Sequence, residues 1–93
     1  MQTIRQMIVT LLSKHEMDAR ELSQELGIRE REVYTHLIHV ARSVKGEKKK
    51  LIVYPSQCLR CGYVFEERKR FTRPGRCPQC KKSHLTRPMF QIK

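Results

Sequence analysis

The sequence predicts an α+β protein in which three helices precede short strands and a zinc ribbon held by four cysteines. Apolar residues recur with helical spacing through residues 1–45, and all four cysteines lie in two Cys-x-x-Cys pairs further along the chain. A third observation concerns charge. The 93 residues carry a formal net charge of +11, and residues 46–93 hold thirteen Lys/Arg against three acids. The basic excess and the cysteines therefore share one half of the chain, and a chain this short excludes an active site between two large domains.

The first helix is predicted from a single apolar stripe near the start of the chain. Its members follow the first one at three, four, seven and eight residues, which is the spacing of one helix face. They are Ile4, Met7, Ile8, Leu11 and Leu12.

The second helix is predicted to begin after Asp18, because Asp18 and Glu21 have the spacing of a capping box. Gly27 is expected to end it in the left-handed conformation that a tight turn between helices needs. The residues expected to be buried are Ala19, Leu22 and Leu26.

The third helix is predicted to follow at once and to end at Lys45–Gly46, where the basic residue suits the helix dipole. Ile38 and Ala41 widen its apolar face, so we expect them to pack against a strand beginning at Leu51 or against a partner subunit. Its main buried stripe is Val33, Leu37, Val40 and Val44.

Three short runs of β-favouring residues follow the helices. Residues 51–54 stop at Pro55, residues 63–65 lie between the cysteine pairs, and residues 89–92 follow Pro88. Each run is long enough for one short strand.

The cysteine spacing is the strongest chemical signal in the sequence. Cys58-x2-Cys61 is followed after fifteen residues by Cys77-x2-Cys80, which fits a four-cysteine zinc site. Each pair makes a tight turn that aims two sulfurs at one ion, and four thiolates complete the shell of a structural Zn²⁺. The same four sulfurs also suit iron. Because few apolar residues accompany the cysteines, the metal is expected to supply the folding free energy that this segment lacks.

Other interpretations of these residues are less favoured. A thioredoxin-like dithiol needs one pair at a helix N-terminus in a βαβ unit, and neither pair has that context. His84 is near enough to replace a thiolate, but with four cysteines present it is expected to be a surface or packing residue. A closed metal shell without an acid–base pair also predicts that the protein is not an enzyme and has no small-molecule substrate.

Residues 19–37 resemble the helix-turn-helix core of winged-helix transcription regulators. The shared pattern is a small residue, Leu, Leu-Gly-Ile, Val and His-Leu, carried here by Ala19, Leu22, residues 26–28, Val33 and residues 36–37. The resemblance implies that the third helix reads double-stranded DNA. The alternative is a three-helix interaction module that binds no nucleic acid.

The outward residues of the third helix are the expected DNA contacts. Arg31 is suited to grip guanine O6 and N7. Glu30 and Glu32 depart from the family pattern, because carboxylates here repel phosphate unless they pair with Arg29 and Arg31 or accept from cytosine N4. The predicted DNA contacts on this helix are Arg29, Arg31, Tyr34, Thr35, His39 and Arg42, and those of the basic half are Lys48, Lys49, Lys50, Arg68, Lys69, Arg70, Arg73 and Arg76.

We expect residues 51–54 and 89–92 to pair as the two strands of the wing, with the ribbon inserted between them. This arrangement resembles the small archaeal transcription regulators in which a winged helix-turn-helix carries a rubredoxin-like zinc ribbon in its wing. The resulting division is a winged helix with the first wing strand in 1–55, a zinc ribbon in 56–87 and the returning wing strand in 88–93. The alternative is a winged helix with the ribbon appended as a tandem domain.

The function implied by this resemblance is sequence-specific binding of double-stranded DNA in transcription regulation, with the ribbon gripping the backbone. The alternative is an adaptor that docks through its basic ribbon on RNA polymerase, a ribosome or an acidic protein. A homodimer would suit the reading of a palindrome. The sequence has no apolar stretch of about 18 residues and no secretory signal, so we expect a cytoplasmic protein without a membrane partner.

Overall fold

Three helices and a three-stranded sheet make up the regular structure of the described part of the chain. The computed structural model describes residues 2–66, 71–72 and 74–93. The prediction of an α+β protein with three helices is confirmed. In chain order the elements are α1 (Ile4–Lys14), β1 (Met17–Asp18), α2 (Ala19–Leu26), α3 (Glu30–Gly46), β2 (Leu51–Tyr54) and β3 (Met89–Ile92).

Capping boxes start the first two helices. The Asp18 carboxylate accepts from the Glu21 N–H at 2.8 Å, and the Glu21 side chain accepts from the Asp18 N–H at 3.1 Å, as the sequence predicted. Thr3 and Gln6 form the same reciprocal pair at the start of α1, a capping box that was not predicted from the sequence. Gly27 ends α2 in the left-handed conformation with φ 68°, also as predicted.

The end of α3 at Gly46 and its buried face agree with the sequence-based prediction, and Ile38 is the one exception. Its predicted stripe is buried, with Val33 and Leu37 0% exposed and Val40 and Val44 1% exposed. Ile38 lies on the opposite side and is 48% exposed, so it does not pack against β2, and the alternative of a partner subunit stays a prediction. No helix in residues 2–66, 71–72 and 74–93 is long and apolar enough to cross a bilayer.

The chain leaves α3 through a left-handed residue that is not a glycine. Lys48 has φ 60°, the Lys49 N–H donates to the Val44 carbonyl at 2.9 Å, and the Lys48 N–H donates to the Lys45 carbonyl at 3.2 Å. These are the two hydrogen bonds of a Schellman motif. Gly46 remains inside the helix.

The sheet has β3 at its centre, with β1 and β2 paired antiparallel to it on either side. Phe90 lies opposite Val53 on β2 and opposite Met17 on β1. The pairing of residues 51–54 with 89–92 was predicted, whereas β1 was not. The prediction of a strand at residues 63–65 was wrong, because only Val64 forms a bridge there, to Gln57.

The main core lies between the helices and the inner face of β3. Phe90 is completely buried at its centre, and the Phe71 ring packs edge-on against it with centroids 5.8 Å apart. A side chain from the cysteine half thus contacts the helical core. The buried members of this core are Ile8, Leu12, Ala19, Leu22, Val33, Leu37, Val40, Val44, Phe90 and Ile92.

Candidate metal centre and nucleic-acid interface

The four cysteines, which lie along the chain between β2 and β3, converge on one point. Their Sγ atoms all lie within 4.8 Å of one another, with 3.5 Å between Cys58 and Cys80 and between Cys61 and Cys77. Sulfurs bound to one tetrahedral Zn²⁺ lie roughly 3.8 Å apart, whereas a disulfide joins sulfurs at about 2.05 Å. The cysteines are free thiols that fit a single metal ion, and the predicted structural zinc site is confirmed.

The two Cys-x-x-Cys turns share one backbone pattern. In each, the N–H of the first cysteine, Cys58 or Cys77, donates to the carbonyl five residues further on, at 2.8 Å and 2.9 Å. The N–H four residues on donates back to the carbonyl of that cysteine, at 2.9 Å and 3.0 Å. The residue at this fourth position is left-handed in both turns: Gly62 has φ 80° and Lys81 has φ 64°.

Backbone amides also prepare the sulfurs for metal. In both turns the N–H groups two and three residues after the first cysteine donate to its Sγ. These bonds, from Cys61 chiefly and then from Arg60, lower the pKa of the Cys58 thiol to about 6. The thiolate is the form that binds metal, so these hydrogen bonds favour the metal-binding form of Cys58.

The apolar surroundings of the metal centre are small. Leu85 is 7% exposed and packs with Cys58 and Cys77, and half-buried Phe65 lies against this cluster. This small number of buried apolar groups cannot offset the conformational entropy that the ribbon loses on folding. Metal binding must therefore contribute to the folding of the ribbon. His84 is exposed and lies outside the cysteine cluster, as expected.

The outward face of α3 carries three of the predicted DNA contacts. Arg31, Thr35 and Arg42 are exposed and follow one another at four and seven residues, so they lie on one helix face opposite the buried stripe. No acidic residue occupies this line, since Ile38 is the residue between Thr35 and Arg42 at helical spacing. Arg29 is also exposed, at the N-cap position.

The two carboxylates at the start of α3 have partners within the chain. Glu30 accepts from the Tyr34 hydroxyl at 2.7 Å and forms an ion pair with Arg87, and Glu32 accepts from the Arg29 N–H at 3.3 Å. The pKa of Glu30 is lowered, chiefly because of the Tyr34 hydrogen bond and further because of Arg87. Neither carboxylate lies on the outward line, and the arginine that pairs with Glu30 is Arg87 rather than the expected Arg29 or Arg31.

Two other predicted contacts on α3 are less accessible. Tyr34 is half-buried and packs against the main core with its hydroxyl directed to Glu30, and His39 is half-buried.

The ion pair between Arg87 and Glu30 was not predicted, because 57 residues separate the two partners in the sequence. The hydrogen bond between Tyr34 and Glu30 could have been predicted, because residues four apart lie on one helix face.

A lysine cluster lies at the opposite end of α3 from Glu30. It surrounds a hollow of about 450 Å³ between the end of α3 and the start of β2, with Ala41 and Leu51 in its lining. Its members Lys48, Lys49 and Lys50, which were predicted as DNA contacts of the basic half, thus lie beside the end of α3. Arg76 is exposed on the ribbon, whereas Arg68, Lys69, Arg70 and Arg73 lie outside the described residues. The lysines that line the hollow are Lys45, Lys48, Lys49 and Lys50.

The fold and the metal centre define a small three-helix protein with a four-cysteine zinc ribbon held between paired strands. Residues 3–52 match a family model described as PF0610-like, N-terminal. Residues 55–93 match a second model, described as the PF0610 rubredoxin-like zinc beta-ribbon domain. The chain belongs to the PF0610-like family.

A solved structure supports this assignment. The solution NMR structure of protein PF0610 from Pyrococcus furiosus is similar to this chain, with a TM-score of 0.82 and 29% sequence identity. The similarity covers 97% of this chain and 88% of that chain. A comparison with curated proteins gives no match.

Proposed function

We propose that this protein is a winged helix-turn-helix transcription regulator that binds double-stranded DNA sequence-specifically, with α3 as its reading helix. The order of its elements supports the proposal. Helix α3 follows α2 after a glycine turn, β2 and β3 follow α3 as an antiparallel pair, and β1 completes the sheet in the order β1-β3-β2. In this interpretation the zinc ribbon occupies the position of the wing. Its closed four-thiolate shell suits a structural role without catalysis.

The observation that carries the proposal is the outward line of α3. Arg31, Thr35 and Arg42 offer a guanidinium, a hydroxyl and a second guanidinium along one accessible face of a 17-residue helix. Such groups hydrogen-bond to guanine edges and to phosphates. Because Glu30 and Glu32 are directed to partners within the protein, this line presents no carboxylate to the DNA.

The basic groups lie at both ends of this helix. The lysine cluster is at its C-terminal end, and the ribbon is tied to its N-terminal turn through Arg87. A helix of this length spans about 25 Å, whereas the major groove is roughly 12 Å wide. When the middle of α3 lies in the major groove, the basic groups at its two ends therefore lie near the phosphates on either side of that groove. The exposed basic residues of the ribbon are Arg60, Arg76, Lys81 and Lys82.

The test compares binding of the zinc-loaded protein to random duplex, single-stranded RNA and genomic fragments selected by the protein, each across a salt series. We expect selection of specific duplexes and an affinity that falls steeply with salt. Arg31→Ala should lose about 1–3 kcal/mol of discrimination at one base position. Lys49→Ala should weaken binding to all sequences and reduce the salt slope by about 1. Lys14→Ala, at the end of α1, is the matched control.

An affinity that does not change with salt would contradict the backbone grip. Equal affinity for single-stranded RNA and for selected duplex would contradict duplex reading. Arg31→Ala and Lys14→Ala having the same effect on base preference would contradict the assignment of α3 as the reading helix.

The adaptor function is favoured by a different observation. Three of the four large hydrophobic side chains that are exposed in the described part of the chain lie on the ribbon, namely Leu59, Tyr63 and Val64, with Leu59 69% exposed. Exposed apolar groups of this kind are typical of protein contacts. If the ribbon docks on RNA polymerase, Leu59→Ser should abolish retention of the purified polymerase and leave duplex binding unchanged.

A further inference from the structure

The ion pair between Glu30 and Arg87 joins the two halves of the molecule. Glu30 is the first residue of α3, and Arg87 lies between the second cysteine turn and β3. The two side chains are partly exposed, at 33% and 25%. The carboxylate also accepts from the Tyr34 hydroxyl and lies in the field of Arg20 on α2. Glu30 therefore holds the exit of the ribbon against the N-terminal turn of α3.

The exit of the ribbon is in turn fixed by the metal centre. Cys58, a metal ligand, forms a β-bridge with Leu85, and Leu85 packs with the buried cysteines. The Thr86 N–H donates to the Gln57 carbonyl at 2.9 Å, and the Gln57 N–H donates to the Thr86 hydroxyl at 2.8 Å. Arg87 is the next residue. Leu85 and Thr86 thus connect the metal ligand Cys58 to Arg87, whose side chain pairs with Glu30.

We infer that Arg87 is a positioning residue that clamps the metal-loaded ribbon to the N-terminal turn of α3 through Glu30. Metal binding and the placement of the ribbon beside α3 are then energetically coupled. The coupling is reciprocal, because a contact that only the metal-loaded ribbon makes fully must also raise the affinity for the metal. The consequence for DNA rests on the proposed function: the clamp fixes the angle between the wing and the reading helix.

Glu30→Gln separates this clamp from ordinary charge effects. The substitution removes a negative charge, so simple electrostatics predicts equal or tighter binding to DNA. The clamp predicts weaker binding, because the ribbon is no longer fixed beside α3. Glu32→Gln is the matched control, since it makes the same charge change in the same helical turn but its carboxylate bonds only to the Arg29 N–H among the contacts described.

The experiment measures zinc affinity of the full chain by competition with a chromophoric chelator. We expect Glu30→Gln and Arg87→Ala each to weaken zinc binding about two- to fivefold, the scale of a partly exposed ion pair. The double variant should be no weaker than either single one, because both remove the same contact. Arg87→Lys should retain most of the coupling, and circular dichroism establishes that each variant keeps its helices.

Two results would overturn the inference: zinc affinity of Glu30→Gln equal to that of Glu32→Gln, or additive losses in the double variant. Duplex binding of the same zinc-loaded proteins is measured in parallel. If the wild-type chain binds no duplex while the zinc effects occur as expected, the proposed function fails and the clamp stands. If the wild type selects duplexes while Glu30→Gln and Glu32→Gln have equal zinc affinities, the clamp fails and the proposed function stands. If the zinc effects occur and Glu30→Gln binds the selected duplex as tightly as Glu32→Gln does, only the consequence of the clamp for DNA binding is contradicted.

Discussion

Substituting the fourth position of each cysteine turn should change metal affinity in opposite directions. Gly62 and Lys81 occupy the same place in two turns with the same hydrogen bonds, and both have a left-handed backbone, with φ 80° and 64°. A side chain in this region costs about 1–2 kcal/mol, whereas glycine adopts it freely. Lys81→Gly should therefore strengthen the second turn, and Gly62→Ala should weaken the first.

The magnitude follows from two opposing terms. Lys81→Gly relieves the roughly 1–2 kcal/mol of left-handed strain but gives the unfolded chain more freedom, which costs about 0.5–1 kcal/mol. The net gain is about 0.5–1 kcal/mol of folding free energy. Gly62→Ala should lose a similar amount for the reverse reason. Apart from its two chain neighbours, no residue in the described part of the chain has an atom within 4 Å of where a Cβ at Gly62 would lie, so steric overlap adds nothing to this loss.

Because folding of the ribbon is coupled to metal binding, these free energies appear in the zinc affinity. We expect a gain of about two- to fivefold for Lys81→Gly and a loss of about two- to fivefold for Gly62→Ala, by the usual conversion of free energy to affinity. Competition with a chromophoric chelator measures both. Lys82→Gly, next to Lys81 in an exposed position, is the control for the loss of a positive charge. The reasoning is refuted if Lys81→Gly and Lys82→Gly behave alike.

Three further predictions concern the metal, one carboxyl group and the core. Chelation of zinc should broaden or collapse the ribbon amide signals in NMR spectra while helical circular dichroism largely persists, because no ligand belongs to the main core; unchanged ribbon signals would contradict this. Tyr34→Phe should raise the pKa of Glu30, read from its carboxyl NMR titration, because the Tyr34 hydroxyl is the main cause of its lowering. Since the folded-state pKa of Glu30 lies below its ordinary value of 4.5, the stabilisation from this contact is complete above about pH 4.5 and is lost as the pH falls through the lowered pKa. Leu37→Ala should cost about 2–5 kcal/mol of unfolding free energy, whereas Ile38→Ala should change it by less than about 0.5 kcal/mol, as measured by denaturant unfolding.

The features that the sequence predicted well are those set by neighbouring residues. The buried stripe of α3 depends only on helical spacing, and the turn at Gly27 depends on a residue that tolerates positive φ. The metal ligands were predicted for the same reason, because each pair is a local turn and the repeated pattern indicates one shared ion.

The features that the sequence did not predict depend on distant partners. The two residues of β1 form a strand only because β3 lies beside them, and a two-residue strand has no period of its own. The pairing of Glu30 with Arg87 crosses the whole ribbon. Residues 63–65 have strand-forming side chains, yet only Val64 finds a bridging partner, because the adjacent turn at Gly62 directs the chain around the metal.

The central position of β3 has a consequence for the order in which the protein matures. Phe90 and Ile92 belong to the core of the helical half, although the ribbon precedes them in the chain. During synthesis the ribbon therefore emerges before β3, the central strand that packs against the helices. The sheet closes only after the whole ribbon, which separates β2 from β3, has been made. A metal ion captured early by the two cysteine turns would shorten the effective loop that β3 must close, which lowers the entropic cost of that step. Zinc supply would then influence the rate at which the helical half is completed, although no helix contributes a ligand.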